Sequence, residues 1–100
     1  MIESECGIAA AAGERWELAE QHFTNALHTA LTLPHIAAQG DVRRWHAWML
    51  LLRRGPGDVE RAQVMLRDAI ALFERVGLPR RARICKGMLD DAMTHTGEAP

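Results

Sequence analysis

Small and apolar side chains recur along the chain at three- and four-residue intervals, and Gly or Pro interrupts the rhythm near 13, 34, 55–57 and 77–79, a pattern that predicts helices rather than strands. The first helix is expected over about 2–12, with Cys6, Ala9 and Ala10 as its apolar stripe and Gly13 as a left-handed stop. The second covers about 15–31. There Leu18, Ala19, Phe23, Ala26, Leu27 and Ala30 share one face, while Glu17, Glu20, Gln21 and Thr24 are left for water. Pro34, whose missing donor is tolerated in a first turn, opens a third helix to about 54 with a stripe of Ile36, Ala38, Val42, Trp45, Met49 and Leu52. Residues 47–52 are apolar all round, which predicts burial on more than one side and a central position. Gly40 inside this helix costs roughly 1 kcal/mol relative to alanine, so a close helix contact or a bend is expected there.

The turn Gly55-Pro56-Gly57-Asp58 follows, with Gly55 expected as the left-handed cap and the Asp58 carboxylate as acceptor for the amides of the next helix. That helix covers about 59–76, buries Val59, Ala62, Met65, Leu66, Ala69, Ile70 and Phe73, and stops at Gly77. A fifth covers about 79–94 with Ile84, Cys85, Met88, Leu89, Ala92 and Met93 inward, and 96–100 reads as a flexible tail. One motif occurs twice. Ala19-x-x-x-Phe23-x-x-Ala26 returns 43 positions later, 62 less 19, as Ala62-x-x-x-Leu66-x-x-Ala69. A period of that size built from helix pairs predicts an all-α stack in which each pair needs a neighbour to bury its apolar face. The expected division is one domain over 1–95, with repeats at about 2–32 and 34–76 and a capping helix at 79–94.

These residues resemble tetratricopeptide repeats, in the longer form found in the C-terminal part of large ATP-binding transcriptional regulators of the MalT-like and LuxR type in bacteria. Gly7 with Ala19, Phe23 and Ala26, then Ala62, Leu66 and Ala69, carry the helix-pair signature, and the run from Met49 to Ala62 carries the family likeness, within about 6–90. The resemblance implies a right-handed α-solenoid of antiparallel helix pairs, about two and a half repeats, whose first helices line a concave wall. On that wall Arg43, His46, Leu50 and Arg53 are expected to face a protein or ligand. Gly7, Ala19, Phe23, Ala26, Trp45, Trp48, Ala62, Leu66 and Ala69 are expected to pack the repeats. Trp45 and Trp48 have a second reading as a ligand platform. Alignment on the turns sets Met49 where the first pair has the small Gly7, so a splayed or differently crossed second pair is expected.

Composition narrows the function classes. Apolar residues make up 48% of the 100 residues, too many for a disordered chain. The net charge of −1 lacks the excess of cations used to neutralise phosphates, so nucleic acid is not an expected partner. The charge is nonetheless uneven: residues 1–41 hold six acids against Arg15, a net −5, and 42–100 hold eleven bases against seven acids, a net +4. This asymmetry suits solvated faces or head-to-tail association of like modules. Cys6 and Cys85 fall in apolar patterns and are expected as buried reduced thiols in a cytoplasmic protein. The start of the chain carries Glu3 and Glu5 rather than a basic leader, and no phosphate-cradling Gly-x-x-x-x-Gly-Lys-Ser/Thr occurs. His22, His28, His35, His46 and His95 show no metal-ligand spacing, and neither cysteine lies at a helix start, so no metal, cofactor or catalytic group is expected. The expected function is a non-enzymatic interaction or oligomerisation scaffold, a homodimer by residual apolar surface. An effector-sensing domain of such a regulator is the alternative.

Overall fold

The computed structural model describes residues 2–32 and 36–97, and among them all regular structure is helical: α1 Ile2–Ala12, α2 Trp16–Thr32, α3 Ile36–Arg53, α4 Asp58–Arg75 and α5 Pro79–Gly97. The expected helix opening at Pro34 and His35 lies outside the described residues, as does the end of the expected tail; α5 itself runs to Gly97.

Left-handed residues set three of the turns. Glu14, with φ 61°, ends α1: its amide donates to Ala11 O and that of Arg15 to Ala10 O, the paired bonds of a Schellman stop. The left-handed position therefore falls one residue beyond the Gly13 expected for it. Gly77, with φ 73°, ends α4 by the same two bonds, Gly77 N–H to Glu74 O and Leu78 N–H to Phe73 O. After α3 the left-handed residue is Arg54, φ 53°, rather than Gly55. Gly55 serves another need: a Cβ built on it would stand 2.9 Å from Asp58 Oδ2.

Each helix turns back on its predecessor, and α3, the expected centre, packs on α1, α2 and α4. The core joins Ala10, Ala11, Ala19, Phe23, Met49 and Leu50 to Leu66, Ala69, Phe73 and Cys85. Two aromatic rings fill gaps left by glycines. Phe23 lies against Gly7, where a Cβ would approach its ring to 3.0 Å, and Phe73 lies against Gly40, where it would approach to 2.6 Å. Gly40 thus marks a close helix contact between α3 and α4. Met49 is fully buried, and the close approach of the second pair lies along the helix at Gly40, far from the connecting turn.

Several apolar positions turn outward. Cys6 and Ala9 are exposed because α1 buries Gly7, Ala10 and Ala11 instead, so only Cys85 is the buried thiol that was expected. Leu18, Leu52, Ile84 and Met93 are exposed as well. The Cα extents of 43 × 30 × 17 Å give a slab about two helices thick.

Candidate functional site

The polar residues gathered on the core form one cluster that ties α2, α3 and α4 together. Glu20 stands one helical turn before Phe23, so the ring and the carboxylate lie on the same side of α2. The imidazole of His46 stacks on Phe23, with centroids 5.3 Å apart and planes 13° from parallel. Its Nε2–H donates to Glu20 Oε1 at 2.5 Å. Arg61 donates to both Glu20 oxygens, Nη1 to Oε2 at 3.0 Å and Nη2 to Oε1 at 3.2 Å. Arg53 Nη2 adds a longer bond to Oε2 at 3.4 Å.

Arg53 also holds Asp58, through Nε to Oδ2 at 2.7 Å and Nη2 to Oδ1 at 2.9 Å. Asp58 Oδ2 further accepts from the amide of Gly55 at 2.8 Å. Asp58 therefore reaches back across the turn instead of capping α4, whose N-cap is Gly57 with no side-chain bond. Asp58 keeps only 3% of its surface and His46 only 5%, so both depend on these partners.

The ionisation states follow from this arrangement. Burial opposes the Glu20 charge, but the hydrogen bonds from Arg61 and His46 outweigh it and lower the carboxyl from 4.5 to about 2. Burial pushes the His46 imidazole below its ordinary value against the pull of Glu20, so the neutral Nε2–H form is the one that fits between carboxylate and guanidinium groups. Bonds from Arg53 hold Asp58 below the usual carboxylate range, and Asp58 in turn raises Arg53. Burial raises the Cys85 thiol, which disfavours the reactive thiolate. Each Glu20 oxygen accepts two bonds, leaving this carboxylate fully occupied.

The four residues expected on one open wall are divided. Leu50 is fully buried in the core and cannot reach a partner. His46 and Arg53 turn inward to Glu20 and Asp58. Arg43 donates to Gln39 O on its own helix and borders a shallow depression with Asp68, Leu72 and Arg75. The cause is helical register: the outward side of α3 carries Arg44, Trp45, Trp48 and Leu52. Of the residues expected to pack the repeats, Gly7, Ala19, Phe23, Ala26, Ala62, Leu66 and Ala69 are buried, whereas Trp45 and Trp48 are half-buried.

Those two indoles meet edge to face, with centroids 5.7 Å apart at 79°. With Arg44, Ile84 and Met88 they line a groove of about 440 Å³ between α3 and α5. The Arg44 guanidinium carbon lies 4.6 Å from the Trp45 ring centroid, a cation–π contact at the rim. Arg81 of α5 donates to Asp41 of α3 at 3.2 Å, an exposed pair that bridges the helices flanking the groove.

Sequence reading missed Glu20, assigned to solvent, its partner Arg61, and the bond of Asp58 to Arg53. The available signals were weak: Glu20 borders the apolar stripe, and Asp58 follows Gly55 by the three residues that suit a turn-spanning carboxylate. Among the described residues no group of three His, Cys, Asp or Glu could hold a metal ion, and no helix is long and apolar enough to cross a membrane. No protein-family model, no curated protein and no solved structure matches the chain.

Proposed function

We propose that this chain is a non-enzymatic interaction module, a tetratricopeptide-like stack that binds a protein partner or a second copy of itself, in the manner of a fragment or relative of a bacterial regulator. The observation that carries this reading is the half-buried Trp45–Trp48 pair, set with Ile84 and Met88 in a groove that no part of the described chain fills. Interaction surfaces favour such aromatic anchors with a cationic rim. The packing of α1 on α3 and the side-chain bridges from α4 to α2 through Arg61 and from α5 to α3 through Arg81 support a stack of helix pairs. The polar cluster, with Glu20 saturated and the Cys85 thiol suppressed, supports a structural rather than a catalytic role for these groups.

Light scattering between micromolar and millimolar protein tests self-association. A mass near twice 11.2 kDa is expected, falling to one chain in Trp48→Glu with its helical circular dichroism unchanged. A wild-type chain that stays monomeric throughout contradicts it. The groove also supports a second reading as an effector site, because its volume lies in the range of small-molecule pockets and Arg44 can hold a carboxylate. A raised melting temperature with small aromatic carboxylic acids, absent in Trp48→Glu, is the result expected from that reading.

A further inference from the structure

We infer that the surface of self-association is the outward side of α3, with the groove of one copy receiving the α1–α2 corner of the other. This rests on the self-association reading above and names its interface. The groove end is apolar and basic: Trp45, Trp48, Ile84 and Met88 are accompanied by Arg44, and exposed Arg80 stands one turn before Ile84 on α5. The corner is apolar and carries two exposed acids, Glu14 and Glu17, with one exposed base, Arg15, between them. There Glu14 shares a depression of about 380 Å³ with Trp16 and the half-exposed Leu52, and exposed Glu17 follows in the first turn of α2.

The two ends are joined by α3. Trp45, Trp48 and Leu52 follow at three- and four-residue spacing and so lie along one side of the helix, with Arg44 beside Trp45 roughly 12 Å from Leu52 at the helical rise. A two-fold axis through the middle of that side turns one copy end for end. Each basic groove then meets an acidic corner, and the contact is made twice in a closed pair. With the Glu20–Arg61 and Asp41–Arg81 pairs set aside, residues 1–41 keep four acids against Arg15, a net −3, and 42–100 keep nine bases against seven acids, a net +2, which acts in the same sense. Glu20 and Asp41 do not contribute to this attraction, being held by Arg61 and Arg81, whereas Glu14 and Glu17 are exposed.

Charge reversal by pairs tests the arrangement in the full chain, read by sedimentation equilibrium with helicity checked by circular dichroism. Arg44→Glu with Arg80→Glu, and separately Glu14→Arg with Glu17→Arg, are each expected to weaken the dimer about tenfold or more, as like charges meet across the interface. All four changes in one chain are expected to restore it, as is an equimolar mixture of the two double variants, whose mixed pair sets opposite charges against each other at both contacts. Because Arg44 also covers Trp45, Arg80→Glu with Glu17→Arg serves as a pair that leaves this contact intact; it is expected to retain dimerisation. Dimers of unchanged strength in both double variants overturn the interface while sparing self-association. A monomeric wild type overturns both.

Discussion

Two glycines on this chain look alike in sequence and do opposite things. Gly40 faces the fully buried ring of Phe73, and a Cβ there would come within 2.6 Å of a side chain that has no space to retreat. Gly87 lies inside α5 with nothing within 4 Å of an added Cβ. Gly40→Ala should therefore destabilise by about 1–3 kcal/mol despite better helix propensity, because overpacking a rigid core exceeds that gain. Gly87→Ala should stabilise by about 0.5–1 kcal/mol. Urea denaturation of the two variants decides it, and equal shifts of the same sign would contradict the assignment. The charged residues repay the same attention: Glu20 is ordinary in composition but holds contacts to three donors from two other helices.

At the scale of elements, the α3–α4 turn is closed by Asp58 and Arg53 rather than by glycine geometry alone. Asp58→Ala removes both bonds to Arg53 and strands the Gly55 amide. The expected loss is about 2–3 kcal/mol, less than a fully buried pair would cost because Arg53 keeps 23% side-chain exposure. A loss under about 0.5 kcal/mol, typical of an exposed pair, would show that the turn holds without the clamp. The helices themselves were legible, since apolar spacing and breakers fix where a helix can run. The faces of α2 and α4 were legible too, through Ala19, Phe23, Ala62 and Leu66. The outward side of α3 was not, because residues 47–52 are apolar in every direction and give periodicity nothing to choose between. Nor was the Glu20 cluster, whose partners lie 26 to 41 positions away and are joined only by folding. The left-handed stops at Glu14 and Arg54 escaped for a simpler reason: glycines stand next to both.

For the whole molecule the polar cluster predicts acid sensitivity. His46, lowered below 6.5, favours the folded state above that pH, and the advantage declines as the unfolded chain takes up the proton first. Glu20 contributes stability fully present above pH 4.5 and lost as pH falls toward about 2, a difference of about 3 kcal/mol. Asp58, also lowered, acts in the same direction. The melting temperature should fall slowly below pH 6.5 and steeply below 4.5, and Glu20→Gln should flatten the steep part; a wild-type melting temperature constant down to pH 3 would refute this. The paired glycines and rings have a consequence for how such a chain can be recognised at all. The small residue precedes its aromatic partner by 16 positions in the first hairpin, 7 to 23, and by 33 in the second, 40 to 73. The same contact is thus made near the turn in one hairpin and far from it in the other, and a pattern that assigns it a single interval fits at most one of the two hairpins.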